Sequence, residues 1–265
     1  MKKYIPTEFV FQLASLLVAV IVVHAFYVAV VRPNADAIIE ERQVQIEEDP
    51  NYVPERSFFV VIRDFEQEVC FVLMLWALSI LGYKAYAASL ERALLQQDLV
   101  PIAEGMRILP EDTREYARQI QALPDGKKGM LLPRVLLSAL QRFGATRNVQ
   151  DGSSSAHTLV ESEAERLESE LSMIRYIAWA IPSIGFIGTV RGIGAALAQA
   201  HRAVEGDISG VTQNLGVAFN STFIALLLSI VLMFLVHQLQ LLQERLVFET
   251  ESYTDDHLIR HLQSR

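Results

Sequence analysis

The chain has 265 residues, a net charge of −8 from 23 basic and 31 acidic side chains, 51% hydrophobic residues and a mean hydropathy of +0.26. So large an apolar surplus excludes an ordinary soluble domain, and an acidic balance without basic–aromatic clusters excludes a nucleic-acid binder. The single Cys70 excludes an intramolecular disulfide or multi-cysteine metal site, and without GxxxxGKS/T, HExxH or CxxC spacings no enzyme, metal site or cofactor is expected.

Four apolar windows, 9–31, 69–88, 174–200 and 215–236, each approach the roughly 20 residues that a helix needs to cross hydrocarbon. The expected fold is all-α: a polytopic membrane protein with four transmembrane helices and long cytoplasmic helical extensions. The first window follows Lys2 and Lys3 and exceeds the roughly 7–15 residues of a signal-peptide core, so it reads as an uncleaved anchor. His24 within it reads as a packed residue. Residues 32–68 follow as an acidic outer loop, in which Asp36, Glu40, Glu41, Glu47, Glu48, Asp49, Glu55, Asp64, Glu66 and Glu68 outweigh Arg32, Arg42, Arg56 and Arg63. Residues 1–88 thus form one division, two transmembrane helices joined by that loop. Cys70 opens the second window as a small hydrophobe in a helix interface.

Residues 89–172 form a cytoplasmic helical region rich in arginine and lysine, from Arg92 through Arg107, Lys127 and Arg147 to Arg166. The positive-inside bias places it, with both termini, in the cytoplasm and leaves 201–210 as a short outer turn. In 130–143 Leu132, Val135, Leu136, Leu140 and Phe143 share one helical face, which lies on the membrane or against another helix. Ser153–Ser155 are expected to cap a helix from Ala156. Val160, Ala164, Leu167, Leu171 and Ile174 carry that helix into the third window as a rod of roughly 65 Å. The fourth window continues through Leu239, Leu242 and Leu246, and the two extensions are expected to pair as an antiparallel coiled coil. Glu161, Glu163, Glu165, Glu168 and Glu170 read as the solvated face of the rod rather than a metal site.

The third and fourth windows carry stripes of small residues. Pro182, Gly185, Thr189, Gly192 and Ala196 fall on one face, and Ala218, Thr222, Ala225 and Ser229 on another. Such stripes let helices approach closely in lipid. Pro182, Gly185, Gly192, Ala218, Ala225 and Ser229 therefore read as helix packing or as the small residues lining a pore. By helix rise, Thr189 lies about 3 Å and Thr222 about 4.5 Å beyond mid-membrane on the same side. With Asn220 and Ser221 they are the candidate ion pathway, a polar ring if repeated around an oligomer. None of the four windows contains Asp or Glu, so the ring needs a carboxylate from another chain. Arg191 points away from Thr189, and its expected structural partner is Glu68, with Glu66 as second choice.

The run Pro182-Ser-Ile-Gly185-Phe-Ile-Gly188-Thr189-Val190-Arg191-Gly192 resembles the Pro…Gly-Leu-Leu-Gly-Thr-Val-x-Gly signature of the MotA/TolQ/ExbB proton-channel family. Ala218-Phe-Asn-Ser-Thr222-Phe-Ile-Ala225-Leu226 is similar to the family's last helix. The resemblance makes 156–250 a channel core, with Thr189 and Thr222 matching the pore threonines. It implies a homo-oligomer, a pentamer, around single-span partners of the MotB/ExbD/TolR type, each carrying a membrane Asp. Proton flow past that Asp then drives rotation or work at the envelope, with sodium open as the alternative coupling ion. A non-conducting membrane scaffold of the same fold is the alternative reading. Membrane lipid is the other expected partner, and nucleic acid is not one. Three positions depart from the pattern: Ala225 stands for the usual Gly, Val217 stands where ExbB- and TolQ-type members carry Glu, and Arg191 fills a site usually apolar.

Overall fold

The computed structural model describes residues 7–49, 52, 55–101 and 106–264. Lys2 and Lys3, on which the reading of the first window drew, lie outside these residues. In chain order the elements are α1 (Thr7–Phe26), a π-helical turn (Tyr27–Val31), α2 (Arg32–Glu48), α3 (Phe58–Val61) and α4 (Phe65–Leu94). They continue as α5 (Thr113–Gln121), α6 (Asp125–Lys128), α7 (Leu131–Thr146) and α8 (Val149–Glu170). Last come α9 (Ser172–Ala198), α10 (Ala200–Val204), α11 (Ser209–His257) and a 3-10 turn (Ile259–His261). No β-strand occurs among the described residues. Four helical stretches there are long and apolar enough to cross a membrane: Glu8–Ile46, Phe65–Leu94, Val149–Ala198 and Ser209–His261. The chain is an all-helical membrane protein, and it divides into two compact units.

The first unit holds Met1–Leu81 and Met173–Val236. Here the expected loop at 32–68 is corrected, because helix continues from α1 to Glu48. Pro33 explains the π turn before α2. Its ring has no N–H and crowds the carbonyl four residues back, and the wider π register relieves that clash without ending the helix. Ala19, Val23, Tyr27, Val31 and Ala35 recur every fourth residue as the buried face. Val23, Tyr27 and Val31 pack with Ile62 and Ile224. Cys70 is buried, its thiol 3.6 Å from the carbonyl of Ile181. Outward residues such as Leu13, Leu17, Phe186, Phe223 and Phe234 are exposed, which suits helices bathed in hydrocarbon.

A proline also interrupts α9. Pro182 cannot donate to the carbonyl of Ala178, which would be left without its helical partner. The Ser229 hydroxyl of α11 donates to that carbonyl instead, at 3.0 Å. Pro182 and Ser229, expected among the pore-lining small residues, are thus two halves of one backbone repair.

The second unit holds Gly82–Ser172 and His237–Arg265. Leu132, Val135, Leu136, Leu140 and Phe143 of α7 are all buried, against α5 and α8, so the helix-against-helix alternative is the one observed. Gly152 of α8 sits where an added Cβ would be 3.2 Å from the Ala139 carbonyl and 3.2 Å from Phe143 Cβ, which explains how closely α7 and α8 pack. The cap of α8 differs from expectation. Asn148 accepts from the Gln150 amide at 2.9 Å, the helix starts at Val149, and Ser153–Ser155 lie inside it. The expected rod is broken at one residue, since α8 ends at Glu170 and α9 begins at Ser172. His157 Nδ1 meets Glu251 Oε1 at 2.9 Å, and Leu171 shares a groove with Gln243, so α8 and the end of α11 run antiparallel.

The acidic face of α8 is only partly solvated. Glu163 is 4% exposed, takes Arg134 at 3.1 Å and is also paired with Arg166. Glu170 meets the buried Lys84 at 2.6 Å. These two carboxylates are structural, and Glu161, Glu165 and Glu168 alone keep the expected exposure. At the chain's end Ile108 donates to His261 at 2.8 Å and accepts from Gln263 at 3.0 Å, a single parallel bridge.

The proline repair makes a double-mutant prediction. Ser229→Ala strands the Ala178 carbonyl in an apolar setting and should lower unfolding free energy by about 1–3 kcal/mol. In a Pro182→Ala background the restored amide occupies that carbonyl, so the same substitution should cost almost nothing. Unfolding of the four proteins in bicelles, read by circular dichroism, measures the coupling; additive costs would refute the repair.

Candidate functional site

The site lies in the first unit, where α9 and α11 meet along three glycines. A Cβ on Gly185 would strike Ala225 Cβ and stand 3.0 Å from the Ser221 carbonyl. One on Gly188 would lie 2.6 Å from Ser221 Cβ, and one on Gly192 would lie 2.8 Å from Ala218 Cβ and 2.8 Å from the Asn214 carbonyl. The two small-residue stripes therefore face each other within one chain. Ala218 and Ala225 are fully buried there. Gly185, Gly192, Ala218 and Ala225, expected as possible pore lining, serve this close approach: they let two backbones touch and offer no surface of their own.

The hydroxyls follow from that approach. Thr189 Oγ1 and Thr222 Oγ1 are in direct hydrogen-bond contact. Thr189 reaches the carbonyls of Ala218 at 3.0 Å and Gly185 at 3.3 Å, and Thr222 reaches Gly185 at 3.2 Å. Both threonines stay half-buried, with one edge open. Ser221 is buried and donates to its own helix at Val217, 2.9 Å away, while Asn220 is half-buried on α11. Of the four residues read as an ion pathway, the structure thus brings Thr189 and Thr222 into direct contact. Two hydroxyls sharing backbone acceptors form a neutral polar spot that exchanges hydrogen bonds and holds no fixed charge.

Fixed charge comes from the start of α4. Arg191 is not paired with Glu68; its Nε and Nη2 lie 2.6 and 2.7 Å from the two oxygens of Glu66, with Asp64 at 3.9 Å. Glu68 points elsewhere, to Arg32 and to His24 Nδ1 at 2.6 Å. Residues 66 and 68 lie about 200° apart around a helix, so depth alone could not choose between them. His24 likewise differs from the packed residue expected: it is exposed, and its Nδ1 meets Glu68. Burial raises the Asp64 carboxyl above the usual carboxylate range, against the pull of Arg63 and Arg191. Beyond α10, the hydroxyl and amide of Ser209 hold the Asp207 carboxyl below that range and fix the turn into α11.

Sequence reasoning missed that Glu66 reaches the glycine seam. A Cβ on Gly188 would lie 3.2 Å from Glu66 Cγ and 2.7 Å from Ser221 Oγ. The pattern of 64, 66 and 68 at a window's edge was the available signal, but it does not show which helix each residue faces.

The glycines make a paired prediction with an internal control. Gly185→Ala places a methyl against Ala225 and the α11 backbone and should cost about 1–3 kcal/mol of stability. Gly194→Ala meets nothing within 4 Å and should be neutral or mildly stabilising, by up to about 1 kcal/mol. Thermal unfolding in detergent compares the two, and equal effects would show that the seam is not tight.

A scan against protein families matches the MotA/TolQ/ExbB proton channel family over residues 129–252. The match takes in α7 as well as α8, α9 and most of α11, so it begins earlier than the channel core expected at 156–250. Searches of the curated proteins and of the solved structures returned no match. The matched stretch, residues 129–252, includes the glycine seam and both threonines, and over it the chain is similar to the MotA/TolQ/ExbB proton channel family.

Proposed function

We propose that this chain is the pore-forming subunit of a proton-driven motor in a bacterial inner membrane. Five copies surround the helices of single-span partners, each bearing a membrane Asp, and ion flow past that Asp is coupled to rotation or work at the envelope. Both termini are cytoplasmic in this reading, following the basic residues of 89–172. The observation that carries it is the Thr189–Thr222 contact: two half-buried hydroxyls on a glycine seam, inside the region that matches a proton channel family. Their open edge supports a role in exchanging hydrogen bonds with a group brought by the partner. The proton is the coupling ion in this reading, and sodium is the alternative that the same test addresses.

A second reading has its own support. Both hydroxyls reach carbonyls of their own seam, which is also what a non-conducting scaffold of the same fold would show. Conduction separates the two. In this proposal the purified chain forms an oligomer but passes no protons above the lipid background. Co-reconstitution with a single-span, Asp-bearing partner switches flux on. Thr222→Val keeps the shape, removes the hydroxyl and should cut that flux about ten- to hundredfold, the rate equivalent of losing a hydrogen bond to a charged group. Thr222→Ser should retain most of it. Pyranine-loaded liposomes, with a sodium gradient as a parallel arm, measure the flux. No proton or sodium flux with any Asp-bearing partner would favour the scaffold, and unchanged flux in Thr222→Val would show that the threonines only pack.

A further inference from the structure

Many exposed apolar side chains of this protein lie on windows that suit hydrocarbon, but Phe248 does not. It stands about 12 residues and 18 Å along α11 from the end of the fourth window, beyond Gln240, Gln243 and Glu244, and is 70% exposed. A large apolar group in water marks an interaction surface when it borders further apolar surface. In the second unit α8 and the C-terminal part of α11 run side by side, and Phe248 and Glu251 belong to both stretches of the groove between them. The groove's floor is apolar, with Val160, Ala164, Leu167 and Leu171 from α8 and Val247 from α11. Its rim is acidic, with Glu165, Glu168, Glu244, Glu251 and Asp255. From Ser153 to Leu171 it is about 27 Å long.

Among the described residues no Lys or Arg lines this groove. His157 lines it and is engaged by Glu251 at 2.9 Å. Arg166 is turned to Glu163, Arg260 lies 2.8 Å from Asp256, and Arg245 stands about 100° round α11 from Glu244. An occupant that fits therefore brings apolar side chains and positive charge together. A second copy of this chain fits poorly, because its α8–α11 face repeats the same acids. Its basic helices α5 and α7 spend their apolar faces in the core, where Ile120, Leu132, Val135 and Leu136 are buried. A single-span partner fits better. Lys and Arg gather within about 15–20 residues of the cytoplasmic end of a span. As helix those residues cover about 22–30 Å, which matches the groove. The groove also begins close to the membrane, since Gln240 lies about 6 Å along α11 from the fourth window.

We propose that the α8–α11 groove seats a basic amphipathic helix from the cytoplasmic flank of the single-span partner. This rests on the reading given above, in which such a partner joins the assembly. Phe248 packs among the apolar side chains of that helix, and Glu165 and Glu244, both exposed on the rim, face its lysines and arginines. An amphipathic helix laid in an apolar groove gains affinity from its buried face and its register from the charged edges. The groove thus holds the partner outside the membrane, apart from any contact its membrane Asp makes within it.

The test is photo-crosslinking in the assembled complex from p-benzoylphenylalanine placed at position 248, mapped by mass spectrometry. The expected product joins it to partner residues within about 20 positions of the membrane span, on the cytoplasmic side. The double variant E165K/E244K reverses rim charge at two exposed positions and should cut that product about threefold or more. Lys→Glu or Arg→Glu changes in the crosslinked partner segment should restore it. A second arm uses the purified chain in zwitterionic nanodiscs and, as probe, a peptide of about 18 residues with Leu at three- and four-residue steps and Lys elsewhere. The probe should bind wild type about tenfold more tightly than Phe248→Asp. Crosslinks only between copies of this chain, no crosslink, an undiminished one in E165K/E244K, or equal probe binding to Phe248→Asp would each overturn the proposal. Proton flux in the same complex separates it from the reading beneath it. The expected crosslink in a complex without flux sinks conduction and leaves the docking standing, whereas flux with crosslinks only between copies sinks the docking alone.

Discussion

Bare backbone at Gly185, Gly188 and Gly192 lets α11 lie so close to α9 that an added methyl at each would collide with the other helix. In lipid there is no hydrophobic gain from bringing two apolar helices together, so van der Waals contact and interhelical hydrogen bonds must hold them. The seam supplies both. Ala218 and Ala225 fill the space left by the glycines, Ser229 donates across it to the Ala178 carbonyl, and one threonine of the pair donates to the other, which in turn donates to a seam carbonyl. The hydroxyl pair is a consequence of that spacing: with larger residues at 185 or 192 the two Oγ1 atoms could not meet.

The same shortage of water governs the two prolines. Pro33 and Pro182 each remove a backbone donor from a helix long enough to span a membrane, and the chain accommodates them differently. A π turn widens the helix before Pro33, while a serine from a neighbouring helix serves the carbonyl freed by Pro182. Charge is managed on the same principle. The carboxylates that begin α4 each take a separate cation, Arg191 for Glu66 and Arg32 for Glu68, and Lys84 in the second unit is buried against Glu170.

Much of this architecture can be read directly from the chain. The four apolar windows are long enough to leave no competing interpretation, and the buried face of α7 follows residue for residue from its spacing. The two small-residue stripes and the two threonines are equally visible. What a one-dimensional pattern does not contain is which face meets which. Stripes that look like a lumen are in fact turned toward each other, and Glu66, the second choice by depth, is the partner of Arg191. The dense acids of 32–48 read as a loop because charge was taken as exposure, although an unbroken helix can carry charge on every side. Ser153–Ser155 looked like a cap because serine favours caps, but Asn148 had already started the helix five residues earlier. Glu163 and Glu170 looked solvated because their cationic partners, Arg134 and Lys84, lie far away in sequence.

The claim on which the rest depends is that Thr189 and Thr222 of one chain meet each other. It can be tested by placing Cys at both positions in a Cys70→Ala background and oxidising the assembled protein in membranes. After proteolysis in the 199–210 segment, mass analysis separates a link within one chain from a link between chains. The structure predicts an intrachain disulfide that forms readily in the native assembly. A product linked only between chains, or none under conditions that oxidise exposed thiols, would contradict the seam and the pathway drawn along it.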